Sequence, residues 1–238
     1  MEPLYVSTIQ CICCESAFKT SRVRPSFKKA STVDSDFCGY YDKGVNPDYY
    51  VVRVCPYCGF ASTENGLVRL NEQQKQNYYN AIGVNWKHRD FSGERTADEA
   101  LTCYKLALLS AQATQTPDRV ISGLLHHIAW LYRYSNNEKE ERRFLEYALH
   151  AYIRVYEQEE SQLNSARLMF LIGELNRRTG NLREAVRWFS RVVNDKRIID
   201  GAMIRASREQ WQLCRVEMEQ QRKQDEQAAE REDVSTTA

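Results

Sequence analysis

Residues 166–199 read ARLMFLIGELNRRTGNLREAVRWFSRVVNDKRII, and this stretch decides the fold class. Residues that favour helices dominate it, and Gly180 near its centre suits the left-handed backbone that ends a helix. Gly173 and Ala185 are small enough to let two helices approach closely. Phe189 is expected to fill the gap between this unit and its neighbour. The stretch therefore predicts two helices joined by a tight turn.

This 34-residue unit resembles a tetratricopeptide repeat, which is a helix–turn–helix module of that length. A second copy at 122–155 is offset by 44 residues, and a half-copy appears in Ala100, Tyr104 and Ala107. A generic helical bundle is the alternative. The self-similarity favours a tetratricopeptide-like antiparallel array, because generic bundles do not repeat along the chain.

Other helix starts extend this array toward the N-terminus. Capping boxes begin at Thr96 and Ser135, where a glutamate three residues later can reach back to the cap. Pro117 follows Thr116 and suits the first position of a helix. The predicted helices span roughly 98–114, 118–134, 138–157, 162–179, 182–194 and 201–223.

Two Cys-x-x-Cys pairs carry the clearest chemistry: Cys11-Ile-Cys-Cys14 and Cys55-Pro-Tyr-Cys58. A two-residue spacer lets both thiolates of a pair face one ion, and two pairs complete a tetrahedron. Gly59 suits the tight turn that follows the second pair. Four thiolates leave no open coordination position, so the sequence predicts one structural zinc ion.

The first pair departs from the usual pattern, since it lacks a following glycine and contains the additional Cys13. Cys13 is therefore an alternative ligand to Cys14. An iron centre with the same four ligands is the alternative to zinc, and four ordinary reduced cysteines are the remaining interpretation. The two pairs lie 40 residues apart, so a sizeable excursion must loop out between them.

Composition divides the chain into three predicted parts. Residues 1–65 hold four of the five prolines and six of the eight cysteines, and form a four-cysteine, zinc-ribbon-like module in which Val51-Val52-Arg53-Val54 is a short strand. Residues 66–223 form the helical array with a C-terminal capping helix. Residues 224–238 have too little apolar content to pack, and form an acidic flexible tail. The predicted fold class is mainly α.

The overall charge and the N-terminus narrow the class of protein. The formal net charge is +1, so no global field attracts nucleic acid or an anionic membrane. The first ten residues contain Glu2 and lack the basic start of a secretory signal. No apolar run approaches the roughly 20 residues that cross a bilayer. We therefore expect a cytoplasmic protein, where paired cysteines bind metal more often than they form disulfides.

The remaining cysteines and histidines do not indicate a catalytic site. Cys38 lies among acidic residues, which would raise its pKa, and is expected to be a partly buried spectator. Cys103 and Cys214 lie on apolar helix faces and are expected in the core. His126 and His127 point about 100° apart on a helix, one toward the core and one toward solvent, and no aspartate or glutamate is placed to complete a triad. We therefore expect a protein that is not an enzyme.

Several motifs together resemble the bacterial family called domain of unknown function 2225 (DUF2225). They are Ser21-Arg22-x-Arg24, Asp34-Ser-Asp36-Phe37-Cys38-x-Tyr40-Tyr41, Asn46-Pro47-x-x-Tyr50-x-Val52-x-Val54-Cys55-Pro-x-Cys58-Gly59-Phe60-Ala61, Ala100-Leu-x-x-Tyr104-Lys-Leu-Ala107 and Arg187-Trp188-Phe189-Ser-Arg191. The resemblance implies a bacterial cytosolic setting and an architecture of metal site plus helical repeats. It implies no activity. Asp34, Asp36, Asn46 and Pro47 belong to this pattern, and turn or strand-pairing roles are the simplest interpretation.

The favoured function is protein–protein interaction by an adaptor or scaffold, because tetratricopeptide-like arrays bind peptides or helices in a groove. The first helices of the repeats would line this groove. Their residues not used for packing include His127, Arg133, Arg167, Glu174, Arg177 and Arg178. The four arginines predict an acidic peptide or a C-terminal carboxylate as ligand, and a solvated helix face is the alternative.

Two other functions stay open. A zinc-dependent nucleic-acid-binding regulator would use the basic cluster Lys19, Arg22, Arg24, Lys28 and Lys29. A thiol-based redox sensor would rest on Cys13 beside the metal thiolates, because their oxidation releases the metal.

Overall fold

The computed structural model describes residues 1–158 and 166–236, with side chains described through Asp225. Helix accounts for 58% of the chain, so the predicted mainly α class is confirmed. The chain divides into two compact units, Met1–Val155 and Tyr156–Ala238.

Short antiparallel hairpins form the N-terminal part of the first unit. The strands are β1 (Leu4–Gln10), β2 (Ala17–Val23), β3 (Thr32–Val33), β4 (Gly39–Tyr40), β5 (Arg53–Val54) and β6 (Ala61–Ser62). They pair as β1–β2, β3–β4 and β5–β6. The strand predicted before Cys55 is therefore present as β5, and it is held in a hairpin by β6.

The first unit continues into helices. They are α1 (Glu72–Ala81), α2 (Ala97–Ala113), α3 (Asp118–Tyr134) and α4 (Glu138–Gln158), which begins in this unit. Thr96 caps α2 in the predicted capping box with Glu99. The capping box predicted at Ser135 is wrong. Asn137, two residues later, caps α4, because its Oδ1 accepts from the N–H of Glu140.

One hydrophobic core joins the hairpin segment to the helices of the first unit. Val52, Val54 and Ala61 lie in the same buried cluster as Tyr104 of α2 and Ile128 of α3. Composition changes near residue 65, but this core is continuous across that position. The hairpins and the first helices therefore pack as one body.

The second unit contains α5 (Ala166–Arg178), α6 (Leu182–Asn194) and α7 (Gly201–Thr236). Gly180 has φ +90 in the turn after α5, which agrees with its predicted role as a helix stop. A Cβ added to Gly173 would lie 2.7 Å from Cε1 of Phe189, so α5 and α6 approach closely at this glycine. Phe189 thus fills space within the α5–α6 hairpin, whereas the sequence predicted it between neighbouring units.

Two helix ends differ from the sequence-based ranges. Residues 162–165 of the predicted fifth helix lie outside the described residues. The last helix continues to Thr236, where an end near residue 223 was expected, so the backbone of 224–236 is helical. The side chains of the predicted acidic tail beyond Asp225 lie outside the described part of the chain.

Candidate metal centre

The two Cys-x-x-Cys segments form equivalent turns, each at the tip of a hairpin. The first turn joins β1 to β2, and the second joins β5 to β6. The N–H of Cys11 donates to the carbonyl of Ser16 at 3.0 Å, and the N–H of Cys55 donates to the carbonyl of Phe60 at 2.9 Å. The chain therefore builds the same kind of loop twice, although the surrounding sequences differ.

The two turns bring four sulfur atoms together. Sγ of Cys11 lies 3.6 Å from Sγ of Cys58, and Sγ of Cys14 lies 3.7 Å from Sγ of Cys55. All four ligand atoms lie within 4.8 Å of one another. A tetrahedral ion with metal–sulfur bonds of about 2.3 Å has sulfur–sulfur edges of about 3.8 Å. The predicted cysteines therefore fit one thiolate-bound ion.

The sulfur distances also exclude disulfides between these residues. A disulfide bond is about 2.05 Å long, and all four cysteines are free thiols.

The neighbouring thiols of Cys11 and Cys58 lower the pKa of Cys55 to about 2, because both can donate to its thiolate. A bound ion would be closed off by four thiolates, so it would stabilise the fold without contacting a substrate.

The first cysteine turn has no glycine, yet its backbone adopts the left-handed conformation that usually favours one. Glu15 has φ 63, and Gly59 has φ 77 at the equivalent position of the second turn. The N–H of each residue donates at 2.9 Å to the carbonyl of the first cysteine in its turn. The absence of a glycine after Cys14 therefore does not break the match, since Glu15 adopts the left-handed backbone itself.

Cys13 lies beside the four ligands, but is not a member of the group that can hold the ion among the described residues. Its backbone N–H points toward Sγ of Cys11 at 3.4 Å, which is a contact that supports a ligand sulfur. The thiol of Cys58 lowers the pKa of Cys13. The geometry favours Cys14 over Cys13 as the fourth ligand, as the spacing predicted.

Two aromatic residues hold the second turn in place. The hydroxyl of Tyr78 on α1 donates to the carbonyl of Cys58 at 2.9 Å. The indole N–H of Trp86 donates to the carbonyl of Pro56 at 2.8 Å, and its ring covers Gly59. Neither residue was predicted from the sequence, and neither was α1. The available signal was the capping box of Asn71 and Gln74, which begins α1.

The excursion between the cysteine pairs is anchored to α3 by a buried carboxylate. Asp36 is fully buried and accepts two hydrogen bonds from the guanidinium of Arg133, at 2.9 and 2.7 Å. The indole N–H of Trp130 donates to the same carboxylate at 3.1 Å, and Nε2 of His126 lies 3.3 Å away. Asp36 therefore has a structural role that its family pattern did not reveal.

Other residues of that pattern also have structural contacts, one with α3 and one within the segment itself. Arg133 donates to Asp34 at 2.8 Å. Asn46 caps the short 3-10 helix Pro47–Tyr50, because its Oδ1 accepts from the N–H of Asp48 at 2.9 Å. Nearby, the buried Arg95 donates to the carbonyl of Val52 at 2.7 Å. The family pattern at these positions is therefore explained by contacts that fold the segment between the two cysteine pairs.

The histidines and the cysteines outside the metal site lie largely where they were expected. His126 faces the core and His127 is partly exposed, as expected. No aspartate or glutamate was expected to complete a triad with these histidines, and the structure places Oδ2 of Asp36, 90 residues away in the sequence, 3.3 Å from Nε2 of His126. Burial raises the pKa of Cys38 to about 12, which agrees with a spectator role. Cys103 and Cys214 are buried in the core, as predicted.

Several of the arginines predicted to bind a partner have carboxylate neighbours, namely Arg133, Arg177 and Arg178. Arg177 donates to Glu174 and to Glu217, and Arg178 donates to Glu174. Glu174 is fully buried, so the expectation that it is not used for packing was wrong. Arg133 belongs to the first unit and binds Asp36. Arg167 is exposed on α5, and partner binding by any of these residues stays a prediction.

The exposed surface next to the second turn carries aromatic and basic side chains. Tyr57 is 58% exposed, and its ring centroid lies 6.0 Å from that of His88. Lys87 and Arg89 are exposed beside His88. Of the basic cluster predicted within residues 19–29, Arg22 forms an ion pair with Glu64. The Tyr57 surface, defined by Tyr57, Lys87, His88 and Arg89, was not foreseen from the sequence.

Comparison with known proteins identifies the family of this chain. A family model described as "Uncharacterized protein conserved in bacteria (DUF2225)" matches residues 4–214. The chain therefore belongs to the DUF2225 family. Neither the curated proteins nor the solved structures contain a match. Among the described residues, no helix has both the length and the apolar character needed to span a membrane.

Proposed function

We propose that this protein is a non-enzymatic adaptor or scaffold of the bacterial cytoplasm, whose first unit is stabilised by one structural zinc ion. The observation that carries the proposal is the close contact between Gly173 and the Phe189 ring within the α5–α6 hairpin. Glycine at such a contact is typical of tetratricopeptide-like hairpins. Arrays of these hairpins bind extended peptides or helices.

The chemistry of the first unit supports a role without catalysis. Asp36, His126 and Arg133 form a polar cluster, but His126 and Arg133 both contact the carboxylate of Asp36 and all three residues are largely buried. Cys38 is fully buried, and its raised pKa disfavours a thiolate nucleophile. A four-thiolate zinc ion would have no position for a substrate. Each of these groups is better suited to stabilise the fold than to act on a bound molecule.

The second unit offers the surface that we assign to a protein partner. Arg167 is exposed on α5, while Leu213 and Val216 are 47% and 52% exposed on α7. These two apolar residues lie three positions apart, so they share one face of α7. Exposed cationic and apolar side chains on α5 and α7 fit an acidic peptide that also has apolar side chains.

Charge reversal on α5 tests this assignment, with the same reversal on α6 as a control. Arg167→Glu should abolish capture of the partner from a lysate of the native host. Arg187→Glu changes charge equally on the α6 side of the hairpin and should leave capture intact, since Arg187 is an exposed partner of Glu184. Zinc content and far-ultraviolet circular dichroism should be unchanged in both. Equal capture by wild type and Arg167→Glu would contradict the assigned surface.

A second candidate function, binding of single-stranded nucleic acid, is favoured by the Tyr57 surface. Exposed aromatic rings stack on bases and nearby cations contact phosphates. The binding constant for an oligonucleotide should then fall linearly with salt on a logarithmic scale. Tyr57→Ala should weaken binding, while Tyr147→Ala, which removes an exposed tyrosine of α4, should not. Absence of salt-dependent binding would exclude this candidate.

A further inference from the structure

The first strand of the chain presents one open edge. β1 pairs with β2 through seven consecutive residue pairs, from Leu4 opposite Val23 to Gln10 opposite Ala17. Among the strands in the described residues, none pairs with the other edge of β1. Val6 is 61% exposed and Tyr5 is 36% exposed. The open edge is therefore long, regular and partly apolar.

This edge lacks the features that keep edge strands from pairing. Natural proteins protect such edges with charged side chains, prolines, bulges or very short strands. β1 reads LYVSTIQ, without a charge or a proline, and its register with β2 is uninterrupted. The paired strand β2 contains Lys19 and Arg22. An edge without protection along seven residues is expected to be covered in solution.

The sequence of β1 is suited to pair with itself. A two-fold axis through Ser7 would place Tyr5 opposite Ile9 and Val6 opposite Thr8 of a second copy. Aromatic–β-branched pairs and pairs of β-branched residues stabilise antiparallel strands. No like charges meet, because β1 carries none, and the formal net charge of +1 gives little repulsion between copies.

We propose that β1 pairs antiparallel with β1 of a second copy of this chain, which gives a two-fold symmetric dimer. The contact is isologous, since the same strand is used on both sides. It converts two two-stranded hairpins into one four-stranded sheet in the order β2-β1-β1-β2. Sheets of three or more strands are more stable than isolated hairpins. The dimer is independent of which partner the helical surface binds.

Sedimentation equilibrium of the full zinc-bound chain tests the dimer. The chain has a mass of 27.8 kDa, and we expect twice this mass at about 100 µM protein. Val6→Glu combined with Thr8→Glu should raise the dissociation constant about tenfold or more, because carboxylates then face carboxylates across the axis. Val68→Glu changes an 89% exposed residue outside the strand and should leave the dimer intact.

A charge-swapped variant separates a lost contact from a damaged fold. Val6→Lys combined with Thr8→Glu places opposite charges across the same axis, so this variant should remain dimeric. In both double variants the new carboxylate at position 8 faces Lys19 of β2, which keeps the hairpin itself favourable. Zinc content should equal that of wild type. A monomeric charge-swapped variant would overturn the proposed register.

Photo-crosslinking locates the contact directly. p-Benzoylphenylalanine at position 5 should yield a covalent dimer on irradiation, because Tyr5 lies at the proposed interface. The same group at position 147, an exposed tyrosine of α4, should not.

A wild-type chain that is monomeric at about 100 µM overturns the proposal. So does a dimer that persists unchanged when both positions 6 and 8 carry glutamate, since another face would then form it.

Discussion

Glu15 and Gly59 occupy equivalent backbone positions in the two cysteine turns, but they differ in what surrounds them. Both have positive φ, which costs a residue with a side chain on the order of 1–2 kcal/mol. At Gly59 a Cβ would also overlap the Trp86 ring, which covers this turn. The glycine is therefore required by a neighbour as well as by the backbone.

Alanine substitution at two glycines separates these requirements. Gly44 has φ +72 with nothing within 4 Å of an added Cβ, so Gly44→Ala introduces backbone strain alone. Gly59→Ala should lower the free energy of unfolding by about 1–3 kcal/mol more than Gly44→Ala, because the Trp86 ring must move as well. Chemical denaturation of both zinc-bound variants provides the measurement. Equal losses would show that Trp86 adjusts without cost.

A second prediction at the residue scale concerns the buried carboxylate of Asp36. Asp36→Asn leaves the guanidinium of Arg133 without its most buried counter-charge, and Arg133 is itself only 11% exposed. Loss of one member of such a pair costs about 3–5 kcal/mol. Asp34→Asn, which removes a partner of Arg133 that is 32% exposed, should cost less than about 1 kcal/mol. Denaturation curves that show similar losses for both variants would contradict the role assigned to Asp36.

The contacts between Asp36 and Arg133 could not be predicted from the sequence. Asp36 and Arg133 lie 97 positions apart, and nothing local distinguishes Arg133 from an exposed helix arginine. Their contact depends on how the excursion folds onto α3. The four metal ligands were accessible because Cys-x-x-Cys spacing is a local requirement of coordination geometry.

At the scale of elements, helix starts were predictable wherever a capping box or a proline marks them. The box at Thr96 identified α2, and Gly180 identified the end of α5. α1 was missed because its low apolar content hides the capping box at Asn71, and because it packs through one buried residue, Tyr78. The β3–β4 hairpin was missed because two-residue strands carry almost no periodic pattern. The seven-residue strand β1 was missed because its apolar residues do not alternate and none of its residues is buried.

The glycine contact between α5 and α6 yields the prediction at this scale. Gly173→Ala should lower the free energy of unfolding by about 1–3 kcal/mol, because the new methyl group meets the Phe189 ring. Gly123→Ala on α3 is the matched control, since an added Cβ there has no neighbour within 4 Å. It should stabilise the protein by about 0.5–1 kcal/mol through helix propensity. Phe189→Leu should restore part of the loss in Gly173→Ala, and an unchanged midpoint for Gly173→Ala would disprove the contact.

At the scale of the whole molecule, the two compact units should respond differently to loss of metal. The cysteine turns share the first unit with α1, and the hydroxyl of Tyr78 binds the backbone of Cys58. The second unit, 156–238, contains none of the four ligands. Composition indicated a separate module that ends near residue 65, but the core containing Val54 and Tyr104 continues beyond it.

Hydrogen exchange after chelation of the metal measures this difference. Amides of β1, β5, β6 and α1 should lose protection, because metal binding and folding of the turns are coupled. Amides of α5 and α6 should exchange as in the untreated protein. Cys58→Ser should reproduce the pattern, while Cys103→Ser, a change of a buried cysteine outside the site, should not. Equal loss of protection in both units would contradict a stabilising role confined to the first.

The central claim is that Cys11, Cys14, Cys55 and Cys58 hold one zinc ion. X-ray absorption at the zinc edge, with elemental analysis of the same purified sample, tests it most directly. The predicted result is one zinc per chain with four sulfur neighbours at about 2.3 Å and none of nitrogen or oxygen. A fully folded chain without metal, or a zinc ion with nitrogen or oxygen among its neighbours, would contradict the account.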